Sequence, residues 1–202
     1  GDIQATGTRI SAVDFDGDGW TDLFIRKDGS ADDFTSGTRS SWLLRNTGSG
    51  SFEDVTESSG IRTARNSDLG RPGQVVAFGD VDNDGDLDVY TGYNVGETSV
   101  ETSELLLNDG SGKFTLTSED NLVRETMVDQ PSGASFVDID HDGNLDLWLA
   151  QASSEQDRLF KGLGNGDFTD ITSDYSLITK PWSAVADLNQ GLSHSNAWSA
   201  LA

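Results

Sequence analysis

Aspartate residues recur in this chain at a spacing that suits the binding of a metal cation. The pattern Asp-x-Asp-x-Asp-Gly-x-x-Asp is nine residues long and occurs three times. Four carboxylates on so short a loop repel one another at neutral pH unless a cation neutralises them. The sequence therefore predicts three cation sites, whose carboxylate ligands are Asp14, Asp16, Asp18, Asp22, Asp80, Asp82, Asp84, Asp88, Asp138, Asp140, Asp142 and Asp146.

The ligand chemistry favours Ca²⁺ as the cation. Ca²⁺ accepts about six to eight oxygen ligands in irregular geometry, whereas Mg²⁺ requires a near-ideal octahedron. Zn²⁺ would favour imidazole or thiolate ligands, which these ligand positions do not supply. The glycine at position 6 permits a sharp turn. We expect backbone carbonyls at position 7 to complete the coordination, and these belong to Trp20, Asp86 and Asn144.

Two other interpretations compete with such a calcium loop. An EF-hand begins in the same way but requires a glutamate at position 12 and flanking helices. Position 12 here is Ile25, Thr91 or Leu149, and strand patterns flank each loop. Turns rich in Asp and Gly are also common between strands without any metal. One loop alone would not decide the question, but all four aspartates recur in all three loops, which favours metal binding.

A second recurring unit follows each aspartate loop and indicates β-structure. A leucine precedes a phenylalanine by nine residues, with a Gly-x-Gly turn between them, at 43–52, 105–114 and 159–168. Short apolar alternations flank the loops and turns, and no window shows a helical period. We therefore predict an all-β fold of β-propeller-type blades, with three repeats of about four strands each and calcium-binding hairpin loops.

The repeats make residues 1–202 one array, with approximate repeats at 7–72, 73–130 and 131–182. Residues 183–202 are similar to the start of an incomplete further blade. A closed propeller usually has about four to eight blades, so the three repeats indicate a partial propeller or part of a larger assembly. We expect a fragment of a longer propeller. The alternative is head-to-tail self-association through open strand edges.

Charge and composition exclude several classes of function. The chain has 202 residues and a formal net charge of −22, so we expect neither nucleic acid nor anionic membrane as a partner. It contains no cysteine, which excludes disulfides and thiolate chemistry. No apolar run approaches the roughly 20 residues of a membrane span. The first residues lack the features of a signal peptide.

The aspartate loops and the strands that follow them resemble FG-GAP/VCBS-type repeats, the calcium-binding blades of integrin-α-like β-propellers. The unit at 43–61 is similar to bacterial relatives of cartilage acidic protein. The resemblance covers about residues 7–178. It implies an extracellular propeller, secreted or at the cell surface, with calcium in the blade loops, and it implies no particular ligand.

The predicted function is that of a non-catalytic, calcium-binding extracellular module for structure, adhesion or the binding of a protein or glycan ligand. Such a ligand would contact the variable loops at 26–41, 60–72 and 92–103, because binding loops are usually held by a rigid scaffold. The alternatives are a self-assembling surface or filament protein and a polysaccharide-acting enzyme or enzyme-attached module. No catalytic motif favours an enzyme, since His141 lies at a variable loop position and His194 lies in a turn pattern.

Overall fold

The part of the chain that the structure describes forms three four-stranded antiparallel sheets, and every strand in them pairs with its neighbour along the chain within its own sheet. These sheets come from a computed structural model that describes residues 3, 5, 7, 9–27, 41–65, 75–92, 102–121, 123, 131–151 and 157–175. The predicted all-β fold with about four strands in each repeat is confirmed.

Each sheet is one blade, in which the strands follow the order of the chain. Blade 1 contains β1 (Arg9–Val13), β2 (Asp22–Arg26), β3 (Ser41–Asn46) and β4 (Phe52–Asp54). Blade 2 contains β5 (Val75–Gly79), β6 (Asp88–Gly92), β7 (Glu104–Asn108) and β8 (Phe114–Leu116). Blade 3 contains β9 (Pro131–Val137), β10 (Asp146–Gln151), β11 (Arg158–Gly162) and β12 (Phe168–Asp170).

The aspartate loop and the glycine turn lie at the same end of each blade. In blade 1 the loop joins β1 to β2 beyond the pair Val13 and Asp22, and the glycine turn joins β3 to β4 beyond the pair Asn46 and Phe52. The chain passes from β2 to β3 at the opposite end. We call the first end the loop end. Both glycines of each turn have a positive φ, between 68° and 83°.

Adjacent blades pack against each other through two hydrophobic clusters. The cluster between blades 1 and 2 contains Phe15, Phe24, Leu43, Ile61, Val89, Leu106 and Phe114. The cluster between blades 2 and 3 contains Val75, Val81, Tyr90, Leu105, Val123, Leu147, Leu149, Phe160 and Phe168. Successive residues of a strand point to opposite faces, so blade 2 is covered on both faces. This explains why β6 is buried along its whole length.

One short helix, α1 (Thr56–Ser59), follows β4 and was not predicted from the sequence. Four residues are too few to show a helical period. The helix ends at Gly60, which has a φ of 78° and lies so close to the next blade that a Cβ there would come within 2.6 Å of the Phe114 carbonyl oxygen. The turn directs Ile61, which is 2% exposed, into the cluster between blades 1 and 2.

Some predictions concern residues beyond those that the structure describes. These include most of the predicted ligand loops, at 28–40, 66–74 and 93–101, together with His194 and the incomplete blade at 183–202. The division into repeats at 7–72, 73–130 and 131–182 therefore stays a prediction, as does the further blade. Within the described residues, no helix has the length and apolar character that a membrane crossing would need.

Candidate metal centres

The first aspartate of each loop holds the loop backbone in shape. Asp14 accepts hydrogen bonds from the backbone N–H groups of Asp18 and Gly19, at 3.1 and 2.9 Å. Asp80 and Asp138 accept the equivalent bonds at 3.0–3.1 Å. These bonds fold the loop around the first carboxylate, so the three loops share one conformation before any cation is considered.

Two positions in each loop have a left-handed backbone. Position 6 is glycine with a φ of 88–96° in all three loops, and a Cβ there would meet no atom within 4 Å. Its requirement for glycine is therefore conformational rather than steric. Position 4 also has a positive φ, at Gly17, Asn83 and His141. Position 4 is variable in sequence, and two of its three residues, glycine and asparagine, are typical of the left-handed region.

The last aspartate of each loop connects the loop to the third strand. Asp22, Asp88 and Asp146 are fully buried. The Oδ2 atom of Asp88 accepts from the N–H of Val81 at 3.0 Å, and its Oδ1 atom accepts from the N–H of Asn108 at 2.9 Å. Asp22 and Asp146 accept the corresponding pairs of bonds at 2.7–3.2 Å. Sequence reasoning assigned these residues only as ligands and missed this structural role.

Carboxylate oxygens converge in every loop. The described residues contain three groups in which one oxygen from each aspartate lies within 4.8 Å of the others, namely Asp14 with Asp16 and Asp18, Asp80 with Asp82 and Asp88, and Asp138 with Asp140 and Asp146. Asp22, Asp84 and Asp142 belong to the same loops but lie outside these groups. The carbonyls predicted as ligands at Trp20, Asp86 and Asn144 stay a prediction.

The electrostatics of the loops disfavour four free carboxylates. Burial, followed by repulsion from neighbouring carboxylates, raises the pKa of Asp16 and of Asp82. Burial also raises the pKa of Asp22, and it raises that of Asp88 to about 7. Within the described part of the chain, the buried Oδ1 atom of Asp16 has no hydrogen-bond partner. A set of ligands made only of carboxylates, one of which has a buried oxygen without a hydrogen-bond donor, fits a hard cation such as Ca²⁺.

The first two loops also form part of the contacts between blades. The side-chain amide of Asn108 in blade 2 donates to the carbonyl oxygen of Phe15 in the first loop. Equivalently, the N–H of Gly166 in blade 3 donates to the carbonyl oxygen of Val81 in the second loop, at 3.2 Å. Each of these two loops is therefore joined to the next blade by a hydrogen bond.

Two further residues of the loops are exposed. Trp20 is 53% exposed, and its indole lies beside Gly48 of the glycine turn. His141 also faces solvent.

A comparison with known protein families supports this description of the repeats. Residues 14–91 match the family model of the FG-GAP-like repeat. This span begins at the first aspartate of blade 1 and ends within β6, so it includes two of the three aspartate loops. No curated protein matches the chain. The resemblance seen in the sequence is confirmed over residues 14–91, which are similar to the FG-GAP-like repeat.

Proposed function

We propose that the chain is a non-catalytic, calcium-binding module in which ions at the aspartate loops rigidify a β-propeller-type array. The observation that carries this proposal is the convergence of three carboxylate oxygens to within 4.8 Å in each of three loops. Proteins with FG-GAP repeats are typically non-catalytic, which supports the same interpretation.

The bound ion would supply positive charge at the point where the carboxylates converge. The chain's own residues prepare that point, because the first aspartate shapes the loop and the last one ties it to the third strand. Binding energy at such a loop appears directly as folding energy. Since the first two loops contact the next blade, ions there would stabilise the stacking of blades as well as the loops themselves.

We further propose that the module acts outside the cell and presents a surface to a protein or glycan ligand. The net charge of −22 supports this, because such a charge keeps a protein soluble in water rich in salt and calcium. Calcium loops of extracellular modules also bind weakly, with dissociation constants of about 10⁻⁴–10⁻³ M. Such sites fill only where calcium is abundant.

Thermal unfolding with and without calcium tests the proposal. We expect a chelator to lower the Tm markedly, Ca²⁺ to restore it fully and Mg²⁺ to restore it only in part. Calorimetric titration should show saturable binding, and Asp80→Asn should weaken it. Asp120→Asn is the matched control, because it removes the same charge from an exposed carboxylate outside the loops. An unchanged Tm in excess chelator would contradict the proposal.

A further inference from the structure

The three blades place different side chains beside their aspartate loops. In the third strand of each blade, the backbone N–H of one residue donates to the buried last aspartate of the loop. The residue immediately before that donor differs among the blades. This residue is Arg45 in β3, Leu107 in β7 and Lys161 in β11, and each pairs with the middle residue of the fourth strand. The same position in the fold is therefore basic, apolar and basic in the three blades.

In blade 3 the basic side chain lies directly among the carboxylates. Lys161 Nζ contacts an oxygen of Asp140 and lies 2.6 Å from Oδ2 of Asp142. Asp140 is a member of the converging group of the third loop. The three side chains are only 29–32% exposed, so the ammonium group is partly shielded from water. The two carboxylates raise the pKa of Lys161, and the ammonium group lowers that of Asp142.

Among the residues that the structure describes, no lysine contacts the carboxylates of the other two loops. Arg45 donates to Glu53 at 2.6 Å and acts on Asp16 and Asp18 only through its field. Leu107 packs against the cluster between blades 2 and 3. Among the described residues, no basic side chain pairs with the carboxylates of the second loop.

We propose that Lys161 is a built-in counter-cation of the third loop, which Ca²⁺ must displace, so that this loop fills last. The inference rests on the proposed calcium binding. An ammonium group and a divalent ion would compete for the carboxylate of Asp140, because the attraction of the ion is weakened while the ammonium group neutralises that carboxylate. The second loop, which has a fifth acid at Asp86 and no basic partner among the described residues, fills first, and the first loop is intermediate. Calcium would then order the blades in stages.

Nuclear magnetic resonance can follow the three loops separately in the full chain. The backbone amides of Gly19, Gly85 and Gly143 occupy the same position in each loop and donate to its first aspartate. In a Ca²⁺ titration we expect the Gly85 signal to saturate first and the Gly143 signal last. The variant Lys161→Gln should lower the calcium concentration at half-saturation of Gly143 by about five- to tenfold and leave that of Gly85 unchanged.

Two further variants separate a local effect from a general loss of charge. Arg158→Gln removes the same charge from the same strand, but the partner of Arg158 is Asp170, which lies outside the loops. It should leave the Gly143 titration unchanged. Lys161→Arg keeps the charge and should keep the late saturation, so the test stands even if Lys161→Gln folds poorly.

The outcomes distinguish this inference from the proposed function. Equal saturation of Gly85 and Gly143 in the wild type, with no shift in Lys161→Gln, would overturn the role of Lys161 while calcium binding stands. An absence of any calcium response at all three glycines would instead overturn the proposed function.

Discussion

The side-chain amide of Asn108 donates a hydrogen bond of 2.7 Å to the carbonyl oxygen of Phe15, which belongs to the neighbouring blade. The same amide donates to the carbonyl of Leu87 at 3.0 Å, and its oxygen accepts from the N–H of Gly112 at 3.1 Å. Asn108 is buried, and this one side chain joins the first aspartate loop to the second blade. Asn46 has the same place in blade 1, but its amide donates to Thr21 within its own blade.

We expect Asn108→Ala to lower the free energy of unfolding by about 1–3 kcal/mol, because it leaves the buried carbonyl of Phe15 without its donor. Asn46→Ala is the matched control and should cost less than about 1 kcal/mol, since its bond is exposed. Urea denaturation of both variants in excess calcium measures the difference. Equal losses would show that the contact between blades contributes nothing of its own.

A buried ion pair also joins blades 1 and 2. Arg65, which follows α1, donates to both carboxylate oxygens of Glu104 at 3.0 and 3.1 Å, and Glu104 is fully buried at the start of β7. We expect Arg65→Met to cost about 3–5 kcal/mol, because it removes the guanidinium group that donates to both oxygens of a fully buried carboxylate. Arg45→Met removes an ion pair with Glu53 in which both side chains are exposed, 44% and 55%, and should cost at most about 1 kcal/mol.

Chemical denaturation of both arginine variants provides the comparison. The double variant Arg65→Met with Glu104→Leu should recover part of the stability lost in Arg65→Met, because it removes the buried charge as well. A double variant less stable than the single one would contradict this explanation.

The metal-free protein should become less stable as the pH rises from about 5 to 7.5. Burial raises the pKa of Asp88 to about 7, whereas an unfolded aspartate has a pKa of about 3.9. Between these values the folded chain holds a proton that the unfolded chain has released, so the free energy of unfolding falls with rising pH. Calcium requires the deprotonated carboxylate, so the stabilisation by calcium should increase over the same range.

Thermal melts in chelator and in calcium at three pH values measure both trends. Asp88→Asn cannot titrate at this position, so its metal-free Tm should depend less on pH than that of the wild type. A metal-free Tm that rises steadily from about pH 5 to pH 7.5 would show that Asp88 is not held protonated.

Position 4 of the third loop should reject a β-branched residue. His141 has a φ of 61°, and this left-handed conformation costs an L-residue about 1–2 kcal/mol, least for asparagine and most for β-branched side chains. We expect His141→Val to lower the free energy of unfolding by about 1–2 kcal/mol. His141→Asn reproduces the residue at position 4 of the second loop and should be neutral. A fully tolerated valine would contradict the conformational explanation.

Much of the fold was predictable because the chain repeats its own signals. The spacing of aspartates located the loops, and the Gly-x-Gly turns located the hairpins, since both patterns depend on local backbone chemistry. Contacts between blades left no such local signal. Three features depend on residues that are distant in the sequence. They are the burial of Ile61 and Val123, the hydrogen bond from Asn108 to Phe15, and the contact of Lys161 in β11 with the third loop. Because each of these contacts occurs once, it leaves no repeated pattern in the sequence from which it could be predicted.

The aspartate loops and glycine turns lie at one end of every blade. Changes in the length of the connections at the other end are therefore separated in space from the aspartate loops. The chain crosses from β2 to β3, and from β6 to β7, at the other end of strands that are five residues long, roughly 17 Å away. The connections at 27–40 and 93–103 differ in length, whereas the aspartate loops keep one spacing. Insertions can therefore accumulate at one end of a blade without changing the spacing of the carboxylates at the other. The length of one connection and the geometry of the aspartate loop can vary independently.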